Sequence, residues 1–152
     1  MIIQSVTLKD MPIPPSVNAA YATNFKTKRR FKSKDYQLYE AMVIHWKNLH
    51  PLNLGRARQF TTLIGDGMAL QVDITFYFPR SKILTKASGK SPSVPKRNDT
   101  SNRIKIAHDV LAELLSIDDC LFWDGSFKKK VLNSDHPGFM DVTFTLIEIE
   151  GY

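Results

Sequence analysis

Cysteine is almost missing from this chain: Cys120 stands alone, which excludes an intramolecular disulfide and suits a reducing compartment. Beside Asp119 it invites a reading as a nucleophile, but no activating base accompanies it, and it is read as a partly buried apolar residue. Long apolar runs are missing too. No stretch approaches the ~18 apolar residues that cross a bilayer, and no basic start leads into a signal-like apolar segment. Membrane insertion and export are therefore not expected, and a cytoplasmic location is. The four histidines, His45, His50, His108 and His136, show no spacing typical of a zinc site and are read as incidental. No internal repeat is found.

What is present fits one globular domain over residues 1–152, since 43% hydrophobic and 24% charged residues supply an adequate core with a solvated surface. Acidic residues are the minority sign, 15 against 21 basic ones, for a net charge of +6. The excess is concentrated. Lys26, Lys28, Arg29, Arg30, Lys32 and Lys34 form one block, and Arg80, Lys82, Lys86, Lys90, Lys96 and Arg97 another. Neither block contains an acid, and with Lys128, Lys129 and Lys130 they hold fifteen of the 21 basic side chains. Such a distribution is the footprint of a polyanion-binding surface, nucleic acid above all, although solvated basic loops look the same one block at a time. Phe25, Phe31 and Tyr36 interleave with the first block. They are placed either to stack on exposed bases or to pack beneath their lysines, the preferred reading for Tyr36.

The pattern along the chain predicts an α+β fold, a mixed β-sheet packed with two main helices. Ile2 to Lys9 alternates like a half-buried strand and ends at the Pro12-Ile13-Pro14-Pro15 breaker. Tyr36, Tyr39, Val43 and Trp46 recur at steps of three and four, predicting a helix over Lys34 to Leu49 stopped before Pro51. Leu70 to Phe78 reads as a strand with Val72, Ile74, Phe76 and Phe78 on one face. Residues 80–97 read as a mobile basic loop. A helix from Asp99 to Leu115 follows, then an acidic turn, a strand over Gly125 to Leu132 and a last strand over Met140 to Ile149.

Chemistry concentrates in Asn98-Asp99-Thr100-Ser101-Asn102-Arg103-Ile104-Lys105 and the later pair Asp118-Asp119. Hard divalent cations are held by oxygen ligands, usually one or two carboxylates with water and substrate phosphate, and this segment offers oxygens beside a lysine. At about 100° per residue, Asn102, Lys105, Asp109 and Glu113 share one side of the helix, while Ala107, Val110, Leu111 and Leu114 share another with Ile106 at the border. Ordinary structural roles also suit each part: Asp99 as an N-cap, Lys105 with Asp109 as an i,i+4 pair, and Asp118-Asp119 as a turn. Asp73 has two readings as well, joining the acidic cluster or facing solvent from the polar side of a sheet.

The spacing resembles the RusA-type Holliday junction resolvases, small endonucleases in which an Asp-x-Asp-Asn-x-x-Lys run opens a helix carrying a further Asp, with Asp-Asp after it. Here the matching positions are Asp99, Ser101, Asn102, Lys105, Asp109 and Asp118-Asp119. A second stretch, Pro14-Pro15-Ser16-Val17-Asn18-Ala19-Ala20-Tyr21, is similar to the family's Pro-Pro-Ser-x-Asn-x-x-Tyr signature and singles out Pro15, Ser16, Asn18 and Tyr21. The resemblance implies a magnesium-dependent enzyme, with manganese as an alternative ion, that acts as a homodimer on branched DNA in recombination and repair. It implies metal ligands at Asp99 and Asp119, with Asp118 and Ser101 as further candidates, and catalytic support from Asn102 and Lys105. The basic residues Lys26, Lys28, Arg29, Arg30, Lys32, Lys34, Lys96, Arg97 and Arg103 would then contact DNA. One position departs from the family: Ser101 replaces the second carboxylate of its motif, and a neutral hydroxyl is a weaker magnesium ligand. Asp118, Asp124 or a water held by Ser101 are the candidate compensations. The rival readings are a branched-DNA-binding protein with weakened or lost cleavage, and a basic RNA-binding domain.

Overall fold

A computed structural model describes residues 4–89, 92–95 and 100–151. The first strand, β1 (Ser5–Met11), keeps its alternation as far as Leu8. Its register against the last strand then shifts between Leu8 and Met11, with Asp10 at a φ of 58° between them. That irregularity keeps both Leu8 and Met11 fully buried. The Pro-rich breaker leads to a single helical turn, α1 (Val17–Ala20), whose N-cap Ser16 accepts a hydrogen bond from the Ala19 N–H at 3.3 Å.

Two short strands absent from the sequence-based expectation follow, β2 (Tyr21–Asn24) and β3 (Arg29–Lys32), paired as an antiparallel hairpin. Its tip is an Asx-type turn in which Asn24 Oδ1 accepts from the N–H groups of Lys26 and Thr27, and Lys28 takes the left-handed conformation. Helix α2 (Lys34–Leu49) starts at the Ser33 cap and buries Tyr36, Tyr39, Val43 and Trp46, as their spacing requires. Pro51 does end α2, but it also occupies the first turn of another helix, α3 (Pro51–Thr61), where a missing N–H costs nothing. Leu54, Ala57 and Phe60 form its buried stripe.

The central strand β4 (Met68–Pro79) alternates strictly from Leu70 onward. Val72, Ile74, Phe76 and Phe78 share one hydrophobic core with the buried side chains of α2, α3 and the long helix α5 (Thr100–Leu115). Residues 80–97, expected as loop, begin with a turn of helix, α4 (Arg80–Ile83), that buries Ile83. Leu84 and Pro95 form an isolated antiparallel bridge beyond it. After α5 and a 3-10 turn at Asp119–Leu121 come β5 (Phe122–Leu132) and β6 (Phe139–Glu148).

The four long strands lie in the order β1-β6-β4-β5, with β4 and β5 parallel and the other pairs antiparallel. This is the expected mixed sheet of an α+β fold. A parallel pair needs a crossover, and α5 provides it, leaving β5 as an edge strand. No helix among the described residues is long and apolar enough to span a membrane.

Candidate functional site

Helix α5 is the platform. Ile106, Ala107, Val110, Leu111, Leu114 and Leu115 are buried and fix the helix against the sheet, while Ser101, Asn102, Lys105, Asp109 and Glu113 are exposed. Lys105 and Asp109 do not close into an ion pair. Among the described residues the one pair within 4.0 Å is Lys32 with Glu40, at 3.0 Å. Among the described residues the Lys105 ammonium therefore has no carboxylate in contact. Arg103, grouped with the DNA contacts on sequence, is half-buried. One of its nitrogens donates to the Pro14 carbonyl at 2.7 Å, and its guanidinium lies 5.8 Å from the Phe78 ring centre. Asp99, Lys96 and Arg97 lie outside the described residues.

The helix ends through Ser116, in the left-handed conformation at φ 55°, and the Ile117 N–H returns to the Ala112 carbonyl at 3.0 Å. This reversal presents Asp118 and Asp119 on the surface. Asp118 caps the 3-10 turn, accepting from the Cys120 N–H at 2.9 Å, and its hydrogen bonds from Cys120 hold it below the usual carboxylate range. The thiol's own hydrogen bond to Asp118 pushes Cys120 above its ordinary value. Cys120 is exposed, not partly buried as expected, because the 3-10 turn projects from the core. A thiol kept protonated in this way is a poor nucleophile and a poor soft-metal ligand.

The Pro-Pro-Ser-x-Asn-x-x-Tyr stretch acts as a brace between elements. Pro14 is fully buried and holds Arg103, Ser16 is buried and caps α1, Pro15 is half-buried, and Asn18 is exposed. Tyr21 packs edge-on against Tyr36, with ring centres 5.6 Å apart, and the Arg30 guanidinium stacks 4.1 Å above Tyr21. Tyr36 is buried with the Lys32 ammonium 4.7 Å over its ring, which bears out its reading as packing beneath a lysine. Burial, with Tyr21 and Glu40 nearby, pushes the Tyr36 hydroxyl up to about 12.

The first basic block is thereby mounted on the hairpin. Lys26, Lys28, Arg29, Arg30, Lys32 and Lys34 are all exposed, Phe25 at the tip is 92% exposed, and Phe31 is half exposed. The hairpin root lies beside α5, close enough for Glu113 to act electrostatically on Lys32 and Asp109 on Tyr36. Lys128, Lys129 and Lys130 are exposed on β5, where lysines also discourage edge-to-edge pairing. Asp73 does not join the acidic turn. It accepts from Gln71 Nε2 and Ser126 Oγ, each at 2.7 Å, on the face of β4 opposite the buried one. Asp124 accepts from the Gly125 N–H at 2.8 Å. Among the described residues no three His, Cys, Asp or Glu side chains are grouped as a metal site.

His108, one turn back from Ala112, was passed over as incidental. It packs edge-on against Phe122 at 5.2 Å, and burial lowers its pKa against the opposing pull of Asp109 and Asp119. A folded-state value below the unfolded one means that the unfolded chain takes up the proton first as pH falls, so acid below about 6.5 destabilises the fold. Melting temperatures measured from about pH 7.5 down to about pH 5 are expected to fall more steeply for the wild type than for His108→Asn. Parallel slopes would remove His108 from this account.

An amphipathic crossover helix with a polar outer face, an acidic turn beyond its end and a basic hairpin beside it give this α+β protein an exposed basic surface and exposed oxygen donors. A model of the family described as Endodeoxyribonuclease RusA matches residues 11–139 of the 152. The chain belongs to this family of endodeoxyribonucleases. No curated protein matches it.

Proposed function

We propose that this protein is a divalent-metal-dependent, structure-selective DNA endonuclease that resolves four-way junctions by paired nicks, working as a homodimer in the cytoplasm. The observation that carries the reading is Lys105 on the exposed face of α5, in line with Ser101 and Asn102 and with no carboxylate in contact among the described residues. Family membership supplies the reaction class.

The donor set suits a hard cation. Asp119 and Ser101 present exposed oxygens, the donor type of a hard cation. Asp118 and Asp119 would hold magnesium or manganese beyond the C-terminal end of α5, while Ser101, with Asp99 before it in sequence, belongs to the opposite end of this 16-residue helix, at least about 10 Å away, and would form a separate donor group within one chain. Once bound, such an ion polarises the phosphate and lowers the pKa of its water. The chain's own residues do the rest. Asn102 orients a phosphate oxygen through its amide, and Lys105 places a positive charge where negative charge grows on the phosphoryl oxygens. The hairpin lysines and arginines hold the backbone of the arms, giving a salt-dependent affinity. Two chains related by a two-fold axis match the symmetry of a four-way junction and the need for two opposed cuts.

The Ser101 departure favours one specific second reading, a junction-binding protein whose cleavage is weak. Ser101→Asp separates the two. If the hydroxyl limits the metal site, the variant reaches half-maximal cleavage at a magnesium concentration lower by about tenfold, a change equivalent to ~1.4 kcal/mol of ion binding. Protein stripped of metal and titrated with magnesium or manganese on a labelled junction provides the readout. Absence of nicks with either ion, in both proteins, would leave the non-catalytic binder as the better description.

A further inference from the structure

The register of β5 against β4 contains an extra residue. Leu70 pairs with Phe122 and Gln71 with Asp124, so Trp123 has no partner in the ladder. Bulges are rare between parallel strands, and where they occur beside active sites they re-aim a side chain. Here the residue thrown out of the ladder is a tryptophan, 61% exposed, four positions after Asp119. Phe122, just before it, is half-buried and packed on His108 and Phe144, so the core does not require a second large ring at this point. Phe127, further along β5, is also open to solvent at 43%. Between these rings and α5 lies a cleft of about 360 Å³, lined by Ile104, His108, Trp123, Asp124 and Phe127.

The lining is mixed. Aromatic and aliphatic surfaces lie next to the polar edges of His108 and Asp124, and the neighbouring lysines are Lys105, next to Ile104 on α5, and Lys129, on the same face of β5 as Phe127. An aromatic platform inside a positive rim is the arrangement that holds single-stranded nucleic acid, with bases stacked on rings and phosphates on cations. An apolar peptide would leave those lysines without counter-charge, and a free phosphate would leave the rings unused.

We propose that this cleft receives an unstacked nucleobase of the bound DNA, with Trp123 as its stacking platform, next to the acidic turn. The inference rests on the nuclease reading for the identity of the strand. It adds a positioning contact that selects DNA able to give up a base at the branch point, in preference to continuous duplex.

The test uses short single-stranded oligonucleotides and strands of equal length that are abasic throughout, with tryptophan emission and affinity both recorded. Trp46 is buried, its indole N–H bound to the Lys9 carbonyl, so the difference between wild type and Trp123→Phe isolates the Trp123 signal. Base-containing strands are expected to quench that signal. Trp123→Ala is expected to bind them about tenfold more weakly, within the range of losing one stacked base, with abasic strands unaffected and Trp123→Phe restoring most of the loss. Equal quenching by abasic strands, or unchanged affinity in Trp123→Ala, would overturn the base cleft while leaving the nuclease reading intact. If Trp123→Ala shifts the sedimenting species from dimer to monomer and weakens both kinds of strand alike, the residue belongs to a subunit interface and the proposal fails. Failure to bind any DNA would overturn the nuclease reading and this inference with it.

Discussion

Asp119→Asn is expected to abolish the proposed metal-dependent cleavage of a four-way junction, by about a thousandfold or more, while junction affinity stays within about twofold. The asymmetry follows from where the residue sits. Asp119 is exposed on a 3-10 turn, so replacing its carboxylate with an isosteric amide disturbs no core contact. What would be lost is a charged oxygen donor to the proposed hard cation, whose contribution to such a reaction is several kcal/mol, each ~1.4 kcal/mol being tenfold in rate. On the proposed reading binding would be held elsewhere, by Lys26, Lys28, Arg29 and their neighbours on the hairpin, and would depend on salt rather than on Asp119. Junction cleavage and gel-shift titration on the same preparation check both halves. Cleavage surviving in Asp119→Asn would show that the acidic turn is only the cap and turn its geometry also allows.

The largest structural effect is expected at Gly125. A Cβ built there would collide with the Val72 carbonyl oxygen and come within 3.0 Å of the Val72 carbonyl carbon, all of it backbone of the neighbouring strand. No rotamer change relieves such a clash, so β5 would have to move away from β4 along their longest parallel contact. Gly125→Ala is therefore expected to cost about 3 kcal/mol, at the upper end for overpacking, and to lower the melting temperature by roughly 10 °C for a chain of this size. The same shift would displace the Trp123 bulge and the acidic turn before it, so cleavage should fall further than stability alone accounts for. An unchanged melting curve would mean that the strands do not approach as closely as described here.

Where hydrophobic periodicity is strong, the sequence was sufficient. Tyr36, Tyr39, Val43 and Trp46 define α2, Val72 to Phe78 define β4, and the polar and apolar sides of α5 are those counted from the sequence. The failures have physical causes. Arg29 to Lys32 is exposed at every position, so the hairpin has no buried face for alternation to reveal, and its one local signal was the turn-forming Asn24. Helix α3 was missed because Pro51 was read as a stop, although Leu54, Ala57 and Phe60 repeat every three residues behind it. The strand β5 was placed from Gly125 because the extra residue at Trp123 breaks the alternation that would have extended it back to Phe122.

The candidate site shows the same division. Two motifs far apart in sequence pointed to α5 and to the Pro-rich segment, and the fold joins them through Arg103 and the Pro14 carbonyl. That Arg103 braces the two, and that Lys105 stands apart from Asp109, are properties of packing that spacing does not encode. The exposure of Cys120 was likewise not legible, since the tendency of free cysteines to be buried yields here to a surface 3-10 turn capped by Asp118.

The most direct measurement is magnesium-dependent cleavage of a labelled four-way junction compared with linear duplex of the same sequence, with Asp119→Asn protein as the control for contaminating nuclease. The account predicts paired nicks at symmetric positions on opposed strands of the junction, little cutting of the duplex and none by the variant. Equal cutting of junction and duplex, or nicks that persist in Asp119→Asn, would contradict it.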